Sequence, residues 1–332
     1  DPNKISWTRS LKGDLRKQHA HEFAKANIVS ALYRPFVKQQ LYFSRRFNEM
    51  VYQMPRLFPQ PDLGNLVIAI TGVGARRQFS SLITDKITNL DLQEKCQSFP
   101  LYYYDEAPKG DLLSHAGGGP IRRDGITDAA LAEYRNRYAD NTINKEDLFY
   151  YVYGTLHSPE YKARFEADLK KQLPRIPFAK DFWAFSKAGR ELAHWHLNYE
   201  TVEPYPLAQI GELDLGDGAL YRVQKIAWAK KREDGKLVPD KTTLVYNSRI
   251  TLTGIPEEAQ EYIVNGKPAI EWIIERYQVT TDKDSGIVND PNDWAAEHND
   301  PAYILNLVKR VVRVSVETMM IVNKLPALQE LS

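Results

Sequence analysis

Short β-rich runs, broken by proline and glycine, occupy the chain from Tyr33 to Asp105 and constrain its fold more than any other feature. Four runs carry this pattern: LYRPFVKQQLYFS, LVIAITG, SSLITDKI and SFPLYYYDE. β-branched and aromatic residues bounded by turn residues are typical of strands. This part of the chain is therefore predicted to form short strands rather than long helices.

Helical patterns follow. They predict helices over TDAALAEYRNRYA, over NKEDLFYYVYGTLHSPEYKARFEADLKKQLP with a break near Ser158–Pro159, and over AKDFWAFSKAGRELAHWHLNYE. A β-rich stretch from Ala219 to Thr253 predicts a hairpin that turns at EDGK. Two amphipathic segments, KPAIEWIIERY and AYILNLVKRVVRVSVETMM, predict closing helices. The predicted class is α+β, with mixed β-sheet and hairpin elements and flanking helices.

The remaining segments have less distinct sequence signals for where their helices and loops begin and end. Within a lead-in over residues 4–31, DLRKQHAHEFAKANIVSAL is predicted to be helical, and NEMVYQMPRLF is predicted to form one short helix that ends before Pro55. The loop 107–125, with three consecutive glycines, has the composition of the most flexible segment.

Composition excludes several classes of protein. Cys96 is the only cysteine, so neither an internal disulfide nor a cysteine zinc site can form, and a reducing cytoplasm fits. No apolar run reaches the length of a membrane span. The opening residues lack the apolar region of a signal peptide, and a start at Asp1 without methionine suggests a fragment of a longer chain.

The formal net charge of +1 hides an uneven distribution of charge. Residues 1–60 hold eleven Lys/Arg and four Asp/Glu, a net +7, which leaves −6 for the remainder. One strongly basic end on a nearly neutral protein favours local binding of an anionic polymer.

Motifs for catalysis are incomplete. TGVGARRQF follows an apolar strand, but Arg77 stands where a dinucleotide-binding fingerprint needs its third glycine. NDPNDW has Asn292 where the Asp/Asn-Pro-Pro-aromatic tetrad of an adenine methyltransferase has its second proline, so an Asx-Pro turn is the better interpretation. No P-loop sequence occurs.

Two weaker constellations remain open. His194 and His196, two residues apart on a predicted helix, would point about 200° from each other, so a structural role is favoured over a shared metal. Glu160 and Lys162 form the E-x-K half of a metal-dependent nuclease site, with Asp147 or Asp140 as the upstream carboxylate. Such two-residue matches often arise by chance. The acidic turn DKDSGIVNDPNDW lacks the ligand spacing of a calcium loop.

Cations cluster on the predicted strands and turns. The clusters are Arg34/Lys38/Arg45/Arg46, Arg76/Arg77 and Lys225/Lys230/Lys231/Arg232/Lys236. A two-stranded ribbon fits the major groove of duplex DNA, where Arg or Lys can read guanine and Gln or Asn can read adenine. Gln78, Gln224 and Asn247 lie beside these cations as candidates for the second role. The alternative is a set of solvated surface cations, which is normal. The aromatic residues among the first cluster, namely Tyr33, Phe36, Tyr42 and Phe43, are predicted to lie in the core.

Seven ordered blocks together resemble one family, the C-terminal specificity domain of Type ISP restriction–modification enzymes. The blocks are YRPF, FYYVYGTLHSPEY, LPRIPF, AGRELAHWHLNYE, VNGKPAIEWIIERYQV, SGIVNDPNDW and VKRVVRVSVET. The resemblance runs from about Ile5 to Leu328, which is almost the whole chain. In these enzymes one polypeptide carries nuclease, helicase-like ATPase, adenine methyltransferase and target-recognition parts in that order.

The resemblance implies a target-recognition domain over residues 33–332, with a helical sub-region at 126–200, preceded by a helical lead-in over 1–32 from an upstream methyltransferase domain. It implies a module without catalytic activity of its own that reads duplex DNA and helps the methyltransferase domain to present an adenine. It implies no cofactor or metal in this part, with S-adenosylmethionine, ATP and Mg²⁺ used upstream. Double-stranded DNA and the methyltransferase domain are the implied partners, without a membrane.

Relatives that share these blocks recognise different sites, so base readers are expected in the segments between the blocks. The candidates are Arg76, Arg77, Gln78, Lys230, Lys231 and Arg232, followed by Arg122 and Arg123. Candidates for phosphate contacts are Arg34, Lys38, Arg45, Arg46, Arg175 and Lys225. Two other hypotheses stay open: a nuclease that uses Glu160 and Lys162, and a scaffold that docks the methyltransferase through AIEWIIERY.

Overall fold

The computed structural model describes residues 7–106, 119–211, 216 and 218–331. Contacts divide these residues into two units. In the described part of the chain, the larger unit comprises 7–34, 38–197 and 324–331, and the smaller unit comprises 35–37 and 198–323. Most of the predicted flexible loop 107–125 lies outside the described residues.

Three small sheets form the β part of the larger unit. Their strand orders are β2-β1-β5, β4-β3-β6 and β7-β8. β1 and β5 are parallel, whereas β3 pairs with both of its neighbours in antiparallel fashion. The bounds are β1 Ile28–Arg34, β2 Val37–Tyr42, β3 Val67–Ile70, β4 Ser81–Thr84, β5 Ile87–Thr88, β6 Gln97–Pro100, β7 Tyr102–Asp105 and β8 Ile121–Asp124. Every residue of β3 is buried, as its unbroken apolar sequence predicts.

Helices make up the rest of the larger unit. Their bounds are α1 Arg9–Arg16, α2 Met54–Leu57, α3 Asp128–Tyr138, α4 Lys145–His157, α5 Pro159–Arg164, α6 Glu166–Leu169 and α7 Phe182–Leu197, with a 3₁₀ helix at Lys25–Asn27. The predicted break is confirmed: Ser158 ends α4, and its hydroxyl accepts the Tyr161 N–H at 3.2 Å to cap α5. Pro159, which has no N–H to donate, fits the first position of that helix.

The packing of α4 against α7 depends on two glycines. A methyl group built on Gly189 would lie 1.9 Å from the Tyr150 carbonyl oxygen, and one built on Gly154 would lie 2.1 Å from the Phe185 carbonyl oxygen. The two backbones therefore approach at a distance that no side chain at these positions permits. Apolar residues of both helices, among them Tyr151 and Phe185, are fully buried beside this crossing.

A four-stranded antiparallel sheet in the order β10-β11-β12-β9 is the main sheet of the smaller unit. The strands are β9 Ala208–Gly211, β10 Ala227–Glu233, β11 Lys236–Val245, β12 Ile250–Thr253, β13 Ile263–Val264, β14 Lys267–Pro268, β15 Thr280–Thr281 and β16 Val288–Asn289. The helices are α8 Glu258–Glu261, α9 Ala269–Arg276, α10 Asn292–Glu297 and α11 Tyr303–Asn323, with a 3₁₀ helix at Gly218–Tyr221. α11 buries Ile304, Val308, Val311 and Val312, as its periodicity predicts.

The hairpin of β10 and β11 turns at Asp234 and Gly235, which both have positive φ, 48° and 78°. Two central residues of positive φ are the mark of a type I′ turn, for which Asp-Gly is a preferred sequence. The prediction of a hairpin that turns at EDGK is therefore confirmed.

The α+β class is confirmed, since the described residues form helices and several small sheets. Two local predictions were wrong. The lead-in helix covers only Arg9–Arg16, because the backbone turns at Gln18 (φ 56°) and Ile28–Arg34 joins a sheet instead. Pro55 begins a helix rather than following one, since it occupies the first turn of α2.

Residues 7–32 pack within the larger unit and do not form a unit of their own. Their origin in a methyltransferase domain stays a prediction. Among the described residues, no helix combines the length and the apolar character that crossing a membrane would require.

Candidate nucleic-acid interface

The outer half of the β10–β11 hairpin sorts its cations onto two faces. Side chains alternate along a strand, so Lys230 and Arg232 share one face, and their cross-strand partners there are Pro239 and Leu237. Lys231 lies on the opposite face, where its amine is 2.8 Å from the Glu233 carboxylate. This pairing raises the pKa of Lys231, chiefly through the hydrogen bond to Glu233.

The face of Lys230 and Arg232 therefore carries two exposed cations, and the outer part of the hairpin places no carboxylate on it. Leu237 on the same face is 61% exposed. An irregularity in the pairing between Trp228 and Ala229 separates this outer ribbon from the inner part of the sheet. Such bulges increase local twist and redirect a strand.

Arg76, Arg77 and Gln78 are exposed in the loop that follows β3. The Glu94 carboxylate holds this loop, since its Oε2 accepts the backbone N–H groups of Arg76 at 3.0 Å and Arg77 at 2.8 Å. The hydrogen bond from the Arg77 backbone is the largest cause that lowers the pKa of Glu94. Sequence reasoning missed Glu94, because nothing in the sequence indicates that residue 94 lies beside residue 77.

Arg122 and Arg123 lie on β8, whose four residues are all exposed. The guanidinium of Arg122 lies over the Tyr102 ring at 4.4 Å, a cation–π contact. Arg123 donates from Nε to Asp105 Oδ2 at 3.4 Å, and Arg56 shares the same carboxylate at 2.6 Å. Of the two, only Arg123 has an acidic partner among the described residues.

Two candidates for phosphate contacts are engaged in the fold. Arg34 is largely buried, and it donates to the Tyr33 carbonyl at 2.7 Å and to Asn89 Oδ1 at 2.9 Å. Arg46 forms a two-point ion pair with the buried Asp14. Their guanidinium groups stabilise loop structure, so the geometry gives little support to a role in binding phosphate.

The other candidates are more accessible. Arg45, Arg175 and Lys225 are exposed, and Lys38 is half-buried. Arg175 also contributes its carbonyl oxygen, which accepts the Tyr161 hydroxyl at 3.0 Å. Their contact with phosphate stays a prediction.

One of the three candidate readers of adenine is unsuitable for that role. The Asn247 amide donates to the carbonyls of Leu220 and Arg222, and its oxygen accepts the N–H groups of Arg249 and Ile250. These four bonds use the hydrogen-bonding capacity of the side chain. Gln78 and Gln224 are exposed instead.

The catalytic alternative gains nothing from the geometry. Glu160 and Lys162 lie two residues apart on α5, and Glu160 is occupied by Arg164 at 2.8 Å and by the Leu328 N–H at 2.6 Å. His196 is buried at 2.5 Å from the Tyr153 hydroxyl, whereas His194 is exposed on the same helix. Within the described residues, no group of three or more His, Cys, Asp or Glu side chains is placed to hold a metal.

The scaffold hypothesis placed a docking face on AIEWIIERY. The apolar face of α9 is instead covered within the smaller unit, where Ala269, Ile270, Trp272 and Ile273 are buried. These side chains belong to the core of the smaller unit.

Within each unit, the structure brings some of the predicted residues together. Arg76, Arg77 and Gln78 share one loop of the larger unit, and Lys230 and Arg232 share one face in the smaller unit. The family model that matches is the Type ISP C-terminal specificity domain, over residues 1–307.

Three solved structures are similar to the chain over nearly its whole length. The first is the ATP-dependent Type ISP restriction-modification enzyme LlaBIII bound to DNA, at 36% identity and a TM-score of 0.83 over 98% of this chain. The second is a nuclease-deletion mutant of the Type ISP enzyme LlaGI in complex with a DNA substrate mimic, at 36% identity and 0.81 over 100%. The third is a DrdV–DNA complex, at 35% identity and 0.83 over 99%.

The match covers only 20%, 28% and 31% of those three chains, respectively, so this chain spans at most about a third of the proteins it resembles. A comparison with curated proteins gives no significant match.

Proposed function

Since the chain belongs to the family of Type ISP C-terminal specificity domains, we propose that it recognises a specific sequence in duplex DNA. The observation that carries the proposal is the β10–β11 ribbon, which presents Lys230 and Arg232 on a face without a carboxylate in its outer part. A two-stranded ribbon has the width that the major groove admits. The DNA-bound state of the three similar enzymes supports the same conclusion.

The division of roles follows from exposure and pairing. Lys230 and Arg232 are the strongest candidates for base contacts on the ribbon, and Arg76, Arg77 and Gln78 are the candidates in the larger unit. Arg122 and Arg123 are weaker candidates for base contacts, because each already contacts a side chain of the protein. Contacts to phosphate fix the register of a protein on DNA, whereas contacts to base edges provide the specificity.

The wider role concerns the longer enzyme that contains a domain of this family. The chain is proposed to position target DNA for an upstream methyltransferase domain that modifies adenine at N6, with the base extruded from the duplex. The chain is proposed to supply no catalytic residue to that reaction, and to need no cofactor of its own. The modest share of the similar enzymes that it covers is consistent with one module of a larger protein.

The ribbon offers a matched pair of variants for the test. The double variant K230A/R232A removes both cations from the face of the ribbon that carries no carboxylate in its outer part. K231A removes a cation on the opposite face that is paired with Glu233. We expect K230A/R232A to weaken binding of the duplex that the chain prefers about tenfold or more at 0.1 M salt, with a smaller effect on random-sequence duplex, and K231A to change both little. Fluorescence anisotropy across a salt series measures both effects.

The salt series also identifies the kind of contact that is lost. Each phosphate contact contributes about −0.9 to the slope of log K against log salt concentration. If Lys230 and Arg232 read bases, their loss affects the preferred sequence by roughly 1–3 kcal/mol at one base position each and changes the slope little. Equal affinities for the parent chain and K230A/R232A on every duplex would contradict the proposal for the ribbon.

A further inference from the structure

The larger unit contains a cavity of about 300 Å³ beside the loop that holds Arg76 and Arg77. The loop side is lined by Thr71, Gly72 and Arg77, and the helical side by Lys162, Glu166 and Lys170. A backbone hydrogen bond of 2.9 Å from Gly74 N–H to the Lys170 carbonyl joins the two sides. The cavity is therefore a fixed part of the fold of this unit.

Cations outnumber acids in its lining. Arg77, Lys162 and Lys170 are positive, and Glu166 is the single carboxylate in the lining. That carboxylate is occupied, because Lys170 Nζ lies 2.7 Å from Glu166 Oε1. Arg77 interacts with Glu94 outside the lining, so the charge that the lining leaves uncompensated is that of Lys162.

Lys162 has no acid to balance it. Among the residues that the structure describes, none forms a hydrogen bond or an ion pair with its amine. The titratable neighbours on the elements around it are Arg77 from the loop, Glu166 at the start of α6, Lys170 just after α6, His157 from α4 and His196 from α7.

Burial alone lowers the pKa of the Lys162 amine to about 8. The two imidazoles are neutral for a related reason, since burial first and the nearby Lys162 charge second lower the pKa of His196 to about 3. A desolvated ammonium group without a carboxylate to compensate it is costly. A group perturbed in this way in a concave site is a candidate for a functional role.

We propose that this cavity binds one phosphate group of the DNA backbone, with half-buried Lys162 and exposed Arg77 as its cationic ligands, which leaves Arg76 and Gln78 as the candidates for base contacts in that loop. The proposal rests on the proposed function, because it takes DNA as the source of the phosphate. It assigns Lys162, which the sequence suggested only as part of a nuclease motif, to the fixing of register. A bound phosphate supplies the negative charge that the lining lacks.

The variant K162Q removes the charge, and K171Q is the matched control, because Lys171 is exposed and lies outside the cavity lining. We expect K162Q to bind a duplex about five- to tenfold more weakly at 0.1 M salt, with a salt slope shallower by about 0.9. K171Q should retain the affinity and slope of the parent. Thermal unfolding checks the fold of K162Q, which is expected to be at least as stable because a desolvated charge has been removed.

A labelling experiment identifies the source of the anion. Amine acetylation of the 332-residue chain at pH 8, read by peptide mass spectrometry, should modify Lys162 readily, and a saturating duplex should protect it severalfold. Inorganic phosphate at millimolar concentration should protect it only partly. Full protection by micromolar phosphate together with none by DNA would overturn DNA as the source.

Failure of this proposal and failure of the proposed function give different results. If the parent chain and K162Q bind DNA equally, with equal slopes and no protection of Lys162 by either anion, the cavity is not a phosphate site although DNA recognition stands. If the parent chain does not bind DNA at all, the assignment to backbone phosphate is overturned with it. Protection by inorganic phosphate would then show a site for a free anion.

Discussion

At the scale of single residues, the partner of a charged or polar side chain decides its role. Arg34, Arg46 and Lys231 have the composition of a DNA-binding surface, yet they pair with Asn89, Asp14 and Glu233. Asn247 uses its amide on backbone groups that lie up to 27 residues away. The sequence identifies these residue types correctly but carries no information on which distant group each of them meets, so it does not separate cations engaged in the fold from cations that are accessible to a ligand.

Two buried histidines predict a sensitivity to acid. Because burial keeps His196 neutral, with a folded-state pKa of about 3 against 6.5 in the unfolded chain, only the unfolded chain takes up a proton between these values. The free energy of unfolding should therefore fall as the pH drops below 6.5, by up to about 1.4 kcal/mol per pH unit for this residue. His157, whose pKa burial also lowers strongly, should add to the loss.

Urea titrations between pH 7 and pH 4 measure this effect. The variant H196N should be less stable than the parent at pH 7, because Tyr153 loses the partner 2.5 Å away, and its stability should fall less steeply toward acid. The control H194Q changes an exposed histidine of the same helix and should keep the slope of the parent. Identical slopes for H196N and the parent would show that His196 is protonated in the folded state.

At the scale of elements, periodicity and turn chemistry predicted most of the fold. The hairpin turn at Asp234–Gly235, the break at Ser158–Pro159 and the buried face of α11 all follow from local sequence. The prediction of a helix over the lead-in was wrong for a physical reason. IVSALYR pairs in parallel with the distant strand β5, and this tertiary contact outweighs helical propensity. Long-range pairing of this kind leaves no local signal.

The crossing of α4 and α7 makes a prediction at the same scale. G189A places a methyl group 1.9 Å from the Tyr150 carbonyl oxygen, so the helices must separate. We expect a loss of roughly 1–3 kcal/mol in the free energy of unfolding, as for other overpacked cores. G13A in α1 is the control, because a methyl group there meets nothing within 4 Å and should be neutral or slightly stabilising. Equal stabilities of G189A and G13A would contradict the close approach of α4 and α7.

At the scale of the whole molecule, net charge indicated the proposed partner for an incomplete reason. The excess of +7 in residues 1–60 suggested a basic end, but Arg34, Arg46 and Arg56 of that segment are engaged with side chains of the fold. The features that support DNA recognition most directly lie elsewhere, on the β10–β11 ribbon and in the loop after β3 that carries Arg76, Arg77 and Gln78. The seven sequence blocks identified the family, and the matched family model confirms it.

Selection from a library of randomised duplexes tests the central claim most directly. The 332-residue chain, immobilised and washed at about 0.15 M salt, should enrich one asymmetric sequence of several base pairs, which it then binds at least about a thousandfold more tightly than scrambled duplex. The double variant K230A/R232A should lose preference at particular positions of that sequence. Enrichment of no sequence, with equal and salt-insensitive affinity for all duplexes, would contradict the claim that this chain reads DNA.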